Sequence, residues 1–379
     1  MLANRFAEYR RCPGVGVWLR NTVAVVVVVG GLLAALSGCG ATPAPLPSPM
    51  PINANQELNI YNWDTYIDPA VLTAFEQKYG VKIRYDLFEN NEAMLATVQA
   101  GTTDYDIVVP SDYMVEIMHK TDLLAPLSRS NIPNLQNLDP TFVSPAYDPG
   151  NRYCVPYQWG TIGIGYNLKA TGRVITGLQD LFDPAFAGRV SLPADAREAL
   201  GIALLYLGHS PNTTKPANIA QARDFLIEHA DQIAVYAPDT GQDLLAAGTV
   251  DLAFEYSGDI FQVMADNPDL RYVIPYDGSF IWTDNLCILA TAPHKEMAEK
   301  FINYVLEPEV GAAISDFIRF GSPNQAALPL LNKEDRDNPV LYPSDEERQR
   351  LFFLVDVGPE ATKLYEDAWA EVLAARGRQ

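Results

Sequence analysis

Residues 58–88 read Leu58-Asn59-Ile60-Tyr61-Asn62-Trp63-Asp64-Thr65-Tyr66-Ile67-Asp68-Pro69-Ala70-Val71-Leu72-Thr73-Ala74-Phe75-Glu76-Gln77-Lys78-Tyr79-Gly80-Val81-Lys82-Ile83-Arg84-Tyr85-Asp86-Leu87-Phe88. The first six form a strand pattern. Asp68 followed by Pro69 is an N-cap with proline at the first helical position. Val71, Leu72, Phe75 and Tyr79 then share one helical face, and Gly80 stops the helix. Val81, Ile83, Tyr85 and Leu87 alternate as a second strand. A helix from about Asn91 to Ala100 follows, ended by Gly101, and Asp106-Ile107-Val108-Val109-Pro110 reads as a buried third strand. Strand, helix, strand, helix, strand predicts an α/β fold with a largely parallel sheet. Ligands of such sheets lie beyond the carboxyl ends of the strands. Trp63 to Tyr66 occupy one such end, and Ser111 with Tyr113 another.

Upstream, the chain is built for export. Arg5, Arg10, Arg11 and Arg20 precede an apolar run from Val23 to Leu36, which is the layout of a secretory signal. That run is too short to span a hydrocarbon core of about 30 Å comfortably. Leu36-Ser37-Gly38-Cys39 resembles a bacterial lipobox, which implies a signal peptide over 1–38 and a lipid on Cys39. Pro43, Pro45, Pro47, Pro49 and Pro51 mark residues 39–56 as an extended tether. About 320 residues remain, enough for two domains of ordinary size or one large one.

The precursor has 27 basic and 47 acidic residues; without residues 1–38 these become 23 and 46, a net charge of −23. Such a surface disfavours nucleic acid and concentrates cationic solutes, although charge of this sign also serves solubility alone. With Cys12 in the leader and Cys39 lipidated, Cys154 and Cys287 remain. Outside the cytoplasm they can form one disulfide or stay as two buried thiols. His119, His209, His229 and His294 lack zinc-site spacing with them, so no metal and no cofactor is expected.

Beyond Tyr157-Gln158-Trp159-Gly160, the strand pattern of residues 161–167 opens a second unit. There Asp195-Ala196-Arg197-Glu198 precedes an apolar helix. Asp-x-x-Glu is first of all a capping box. Leu252 to Tyr256 and Phe280 to Leu286 are further strands, the latter returning toward the first unit.

Taken together, the chain resembles the spermidine/putrescine-binding proteins, the extracellular receptors of polyamine ABC importers. The matching stretches are Tyr61-Asn62-Trp63 with Tyr66, Val108-Val109-Pro110-Ser111 with Tyr113, Pro156-Tyr157 with Trp159-Gly160, Asp195-Ala196-Arg197-Glu198, Ile281-Trp282 with Asp284, Ser322-Pro323-Asn324 and Asp356-Val357-Gly358. They are collinear and cover nearly everything after residue 57. The resemblance implies a type II periplasmic-binding-protein fold, with residues 57–158 plus 284–322 as lobe 1 and 159–283 plus 323–379 as lobe 2, closing over a ligand. It also implies a monomer that hands a polyamine to permease subunits and their ATPase from the outer face of the membrane or the periplasm.

The implied site suits a flexible alkyl chain with separated ammonium groups, which needs carboxylates at intervals and apolar walls between. Asp195 and Glu198 would hold one ammonium end and Asp284 another nitrogen. Trp63, Tyr66, Tyr113, Tyr256 and Trp282 would box the methylenes and face the cations. Ser111 and Thr65 would accept from ammonium groups. The chain departs from the family pattern at four places. Asp64-Thr65 stands where Thr-Glu is usual, Tyr256 replaces Trp, Phe320 replaces Tyr, and Leu354 stands near a usual Gln. The length of the preferred polyamine is therefore left open. The same carboxylates could instead serve glycoside hydrolysis, but the chain has no nucleophile elbow, zinc-protease or phosphate-loop motif. A ferric receptor would call for adjacent tyrosines, and an anion receptor for a cleft free of acid.

Overall fold

In a computed structural model the structure describes residues 56–377. The signal segment, Cys39 and the tether up to residue 55 lie outside the described residues. The opening stretch folds as its pattern predicts: β1 (Glu57–Asn62), α1 (Pro69–Tyr79), β2 (Lys82–Leu87), α2 (Asn91–Gln99), β3 (Ile107–Val108) and α3 (Asp112–Lys120). Asp68 caps α1 by accepting from the Ala70 N–H, and Gly80 ends it in the left-handed conformation at φ 66°.

The middle of the sheet is made by two long strands, β4 (Cys154–Asn167) and, later in the chain, β9 (Ser279–Ile288). Between them come β5 (Val190–Pro193), α4 (Ala196–Tyr206), α5 (Pro216–Glu228), β6 (Ile233–Ala237), α6 (Gly241–Ala246), β7 (Leu252–Tyr256), α7 (Ser257–Asp266) and β8 (Leu270–Val273). After β9 follow α8 (Lys295–Val305), α9 (Pro308–Ile318), a short β10 (Leu351–Phe352) and α10 (Pro359–Arg376). The strand order is β2-β1-β3-β9-β4-β7-β5-β6, with β10 beside β9 and β8 beside β4.

The sheet is mixed for a topological reason. β1 lies parallel to β2 and β3, and β5 parallel to β6 and β7, because helices make those crossovers. β4 and β9 instead run antiparallel to each other, from Cys154 opposite Cys287 to Ile162 opposite Phe280. They carry the chain out of one parallel group and back again. Cys154 and Cys287 form a disulfide across this pair.

Two large cores flank the ribbon. One gathers Leu58, Ile60, Phe75, Val155, Phe301 and Ile314; the other gathers Ile164, Leu192, Ile202, Phe254 and Tyr365. Tyr365, Ala368 and Val372 of α10 belong to the second. Just beyond residue 323 the chain stays against the first core. Asn324 bridges to Leu138 and donates to the Leu306 carbonyl, and Ala327 and Leu331 pack on Ala312 of α9. The segment joins the second side by Leu341 and Leu351, which pack with Tyr272 of β8.

Candidate ligand-binding cleft

The strand ends converge on one cavity of about 370 Å³. Trp63 and Tyr66 follow β1, Ser111 follows β3, Asp195 follows β5, Asp239 follows β6, and Tyr256 ends β7. Each is a carboxyl end of a parallel strand, where an open α/β sheet leaves its crevice. Trp282 and Asp284 enter from β9, so the ribbon supplies the floor.

Asp284 is 6% exposed and accepts a 2.7 Å hydrogen bond from the Ser111 hydroxyl. Ser111 sits at the N-cap of α3 without making a side-chain cap bond, which leaves its hydroxyl for Asp284. Burial pushes the Asp284 carboxyl up to about 7, against the lowering effect of Ser111 and the nearby Tyr66 hydroxyl. That hydroxyl is buried and has the Asp284 carboxylate as its polar neighbour. The Trp282 indole N–H is likewise buried and unpartnered.

Asp195 accepts from the backbone N–H groups of Arg197 and Glu198, so it does cap α4. Glu198 does not return the bond as a capping box would. It is held at 2.7 Å by the Tyr256 hydroxyl instead. Burial and then Asp195 hold the Glu198 carboxyl well above the ordinary range. Glu92, at the start of α2, completes this end by accepting from the Tyr113 hydroxyl at 3.0 Å. Glu92 keeps an exposed side, but the enclosure around it, followed by Asp195, raises it too.

The walls are aromatic. The Trp282 ring meets Phe320 edge-on at 5.0 Å and Tyr256 at 5.9 Å. Tyr66 meets Phe320 at 5.6 Å. The Trp63 indole donates to the Val109 carbonyl at 2.8 Å, which fixes its ring beside Phe88. Gly258 and Gly160 allow this packing, because a Cβ on Gly258 would lie 2.6 Å from the Phe320 ring and one on Gly160 2.8 Å from Trp282.

The cleft gathers every residue expected from the resemblance except Thr65. Thr65 is exposed at φ 47° and does not line the cavity; its N–H is turned to the Asp64 carboxylate. The turn after β1 carries Asp64 and Tyr66 to the cavity and leaves the residue between them outside. Asp64 lines the rim and is itself exposed.

Sequence reasoning passed over Glu92, Asp112, Asp239, Glu255 and Asp259, all of which line the same cavity. Glu255 is the one with a readable signal, a carboxylate inside the apolar run Leu252-Ala253-Phe254 of a buried strand. Altogether eleven acidic residues and one basic residue line the cavity. The basic one, Arg197, makes its hydrogen bonds elsewhere, although its charge still lowers Asp195 and Glu92. Its guanidinium donates to the Val355 carbonyl and the Asn212 side chain and lies over the Tyr365 ring. Buried carboxylates in such excess over base, walled by rings, suit an organic cation.

Comparisons with known proteins agree with this geometry. Residues 70–340 match the family described as bacterial extracellular solute-binding protein. The chain is 35% identical over 324 residues to the spermidine/putrescine-binding periplasmic protein of Salmonella typhimurium, covering 85% of this chain and 93% of the relative. It superposes with a TM-score of 0.81 on a putative spermidine/putrescine ABC transporter structure from Listeria monocytogenes, at 37% identity over 84% of this chain and 99% of the other. A lipoprotein of Treponema pallidum gives a TM-score of 0.76 at 31% identity, covering 84% and 99%. The mixed sheet is thus the type II periplasmic-binding-protein architecture, and the chain belongs to the bacterial extracellular solute-binding proteins, in the family of the spermidine/putrescine-binding periplasmic proteins.

Proposed function

We propose that the protein captures a polyamine of the spermidine/putrescine class in the cell envelope and delivers it to the permease of an ABC importer. The observation that carries this reading is the excess of buried acid over available base in an aromatic cavity. Asp195, Glu198 and Glu92 hold one ammonium, and Asp284 with Ser111 holds another. The rings of Trp63, Tyr66, Tyr113, Tyr256, Trp282 and Phe320 enclose the methylenes, with Asp64 at the rim. Each good cation–π contact contributes about 0.5–2 kcal/mol.

The parallel groups on either side of the β4–β9 ribbon act as two lobes, and the ribbon acts as the hinge. Lobe 1 takes in residues 57–158 and 284–322, and the contacts of residues 324–331 favour extending it past 323. Closure buries the ligand and presents the form that the permease and its ATPase engage. Membership of the family makes the chain a transport component and not a catalyst. A lipid on Cys39 would tether it at the membrane, with residues 40–56 as the leash.

Native mass spectrometry of the refolded soluble chain mixed with putrescine and spermidine tests this reading. One amine per chain, released with unchanged mass, is expected. Absence of any amine adduct would overturn it.

A further inference from the structure

Residues 111–113 tie the cleft together, each side chain in its own direction. Ser111 donates to Asp284 at 2.7 Å, Asp112 accepts from the Thr283 N–H of β9 at 3.2 Å, and Tyr113 donates to Glu92 at 3.0 Å. Behind Ser111 stands Asn91, the first residue of α2 and only 6% exposed. Asn90 caps this helix by accepting from the Ala93 N–H, so the Asn91 side chain is free of that duty. It faces Ser111 with both ends of its amide. The Asn91 Oδ1 accepts from the Ser111 N–H and its Nδ2 donates to the Ser111 hydroxyl, each at 3.1 Å.

This double contact has a direction. A backbone N–H can only donate, so the amide oxygen is the end that faces it, and the amide nitrogen is then the end that faces the hydroxyl. An amide nitrogen also can only donate. The Ser111 oxygen therefore accepts from Asn91, and its single proton is left for Asp284. A freely turning hydroxyl serves either form of a carboxyl group, donating to the carboxylate or accepting from the acid. One fixed as a donor favours the carboxylate, which it bonds more strongly.

We infer that Asn91 is a positioning residue for the ligand carboxylate: by fixing the Ser111 hydroxyl as a donor, it favours the ionised Asp284 that meets an ammonium group. Its purpose rests on the polyamine reading, but the hydrogen-bond chain itself is present without ligand. Burial opposes the charge on Asp284, and the Ser111 bond is the largest influence acting the other way. The titratable groups that face Asp284 are Tyr66, Asp112, Tyr147, Tyr157 and Asp239. Asn91 is neutral, so replacing it by alanine leaves that set unchanged.

NMR titration of the Asp284 carboxyl carbon in the ligand-free chain, wild type against Asn91→Ala, tests the inference without any amine. The midpoint is expected to rise by about half a pH unit, the loss of part of one hydrogen bond to a charged group. Spermidine titration of the same two proteins reads that shift as affinity. Because the ionised carboxyl is the competent form, the variant should bind about threefold more weakly at about pH 6 and equally well at about pH 8.5. Added to Ser111→Ala, the Asn91→Ala change should move neither quantity further.

An unmoved Asp284 midpoint, an equal loss of affinity at both pH values, or an effect that persists without the Ser111 hydroxyl would overturn the role and leave the polyamine reading standing. A wild-type chain that binds no amine, with the midpoint still raised in the variant, would remove the polyamine reading and keep the hydrogen-bond role. Should Asn91→Ala not fold, Asn91→Asp keeps an acceptor for the Ser111 N–H and removes the donor to its hydroxyl. A raised midpoint is expected there too, and a wild-type midpoint would overturn the inference.

Discussion

Replacing Asp284 by Asn separates binding from folding more sharply than any other single change in the cleft. The side chains are nearly isosteric, and the amide oxygen can still accept from Ser111, which lies 2.7 Å from the carboxylate. What disappears is the buried charge. A hydrogen bond to a charged partner contributes about 1.5–3 kcal/mol. An ammonium facing a neutral amide also loses the attraction that offsets its own desolvation. Against this, a group titrating at about 7 is half protonated in the free protein at that pH, which weakens wild-type binding by only about 0.4 kcal/mol. The expected loss is therefore about 2–4 kcal/mol, or roughly 30- to 1000-fold in Kd.

Folding should move the opposite way. Burial raises this carboxyl from an ordinary 3.8 to about 7. Between those values the folded state holds a proton that the unfolded chain has released, so this residue's contribution to stability falls as pH rises from about 4 to about 7. Asn has no such penalty. The ligand-free variant should melt above wild type at pH 8, with the difference shrinking toward pH 4. Titration calorimetry with spermidine and scanning calorimetry of the ligand-free chain give the two numbers. Unchanged affinity, or lost affinity together with a lower melting temperature at pH 8, would refute the assignment of Asp284 as a ligand carboxylate.

Affinity should fall as pH drops from about 8 toward 5, because Asp284 and Asp239, both at about 7, must ionise to face an ammonium. Asp239 keeps an exposed side, but the enclosure around it, then Asp64 and Asp243, produce its rise. Titrations in two buffers of different ionisation enthalpy should show proton release on binding at pH 6.5, and pH-independent binding would contradict this. Gly258→Ala should cost about 1–3 kcal/mol of stability and weaken binding, since its Cβ would meet a buried, rigid Phe320 ring that supports Trp282. Urea unfolding followed by titration checks both effects, and wild-type values in the two would contradict the packing argument.

The first lobe was readable because its signals are local. Asp68-Pro69 and Gly80 bracket α1 within thirteen residues, and β2 alternates along its own length. The Asp195-to-Glu198 spacing was also visible, but its two outcomes could not be told apart. Only the fold brings the Tyr256 hydroxyl to Glu198 and thereby withdraws that carboxylate from the cap. Thr65 failed for a related reason. Its side chain is decided by a one-residue left-handed turn, which adjacency to Trp63 does not reveal. Asp239, Glu255 and Asp259 were missed because they come from a loop, a strand and a helix, and no spacing in the chain announces that they meet.

The central claim is tested most directly by isothermal titration of the soluble chain from residue 57, stripped of carried ligand by unfolding and refolding with its disulfide intact, against putrescine, spermidine and spermine. Saturable 1:1 binding of at least one amine at micromolar Kd or tighter, about −8 kcal/mol or better, is the predicted result. No heat from any of the three, with a folded protein in the cell, would contradict it.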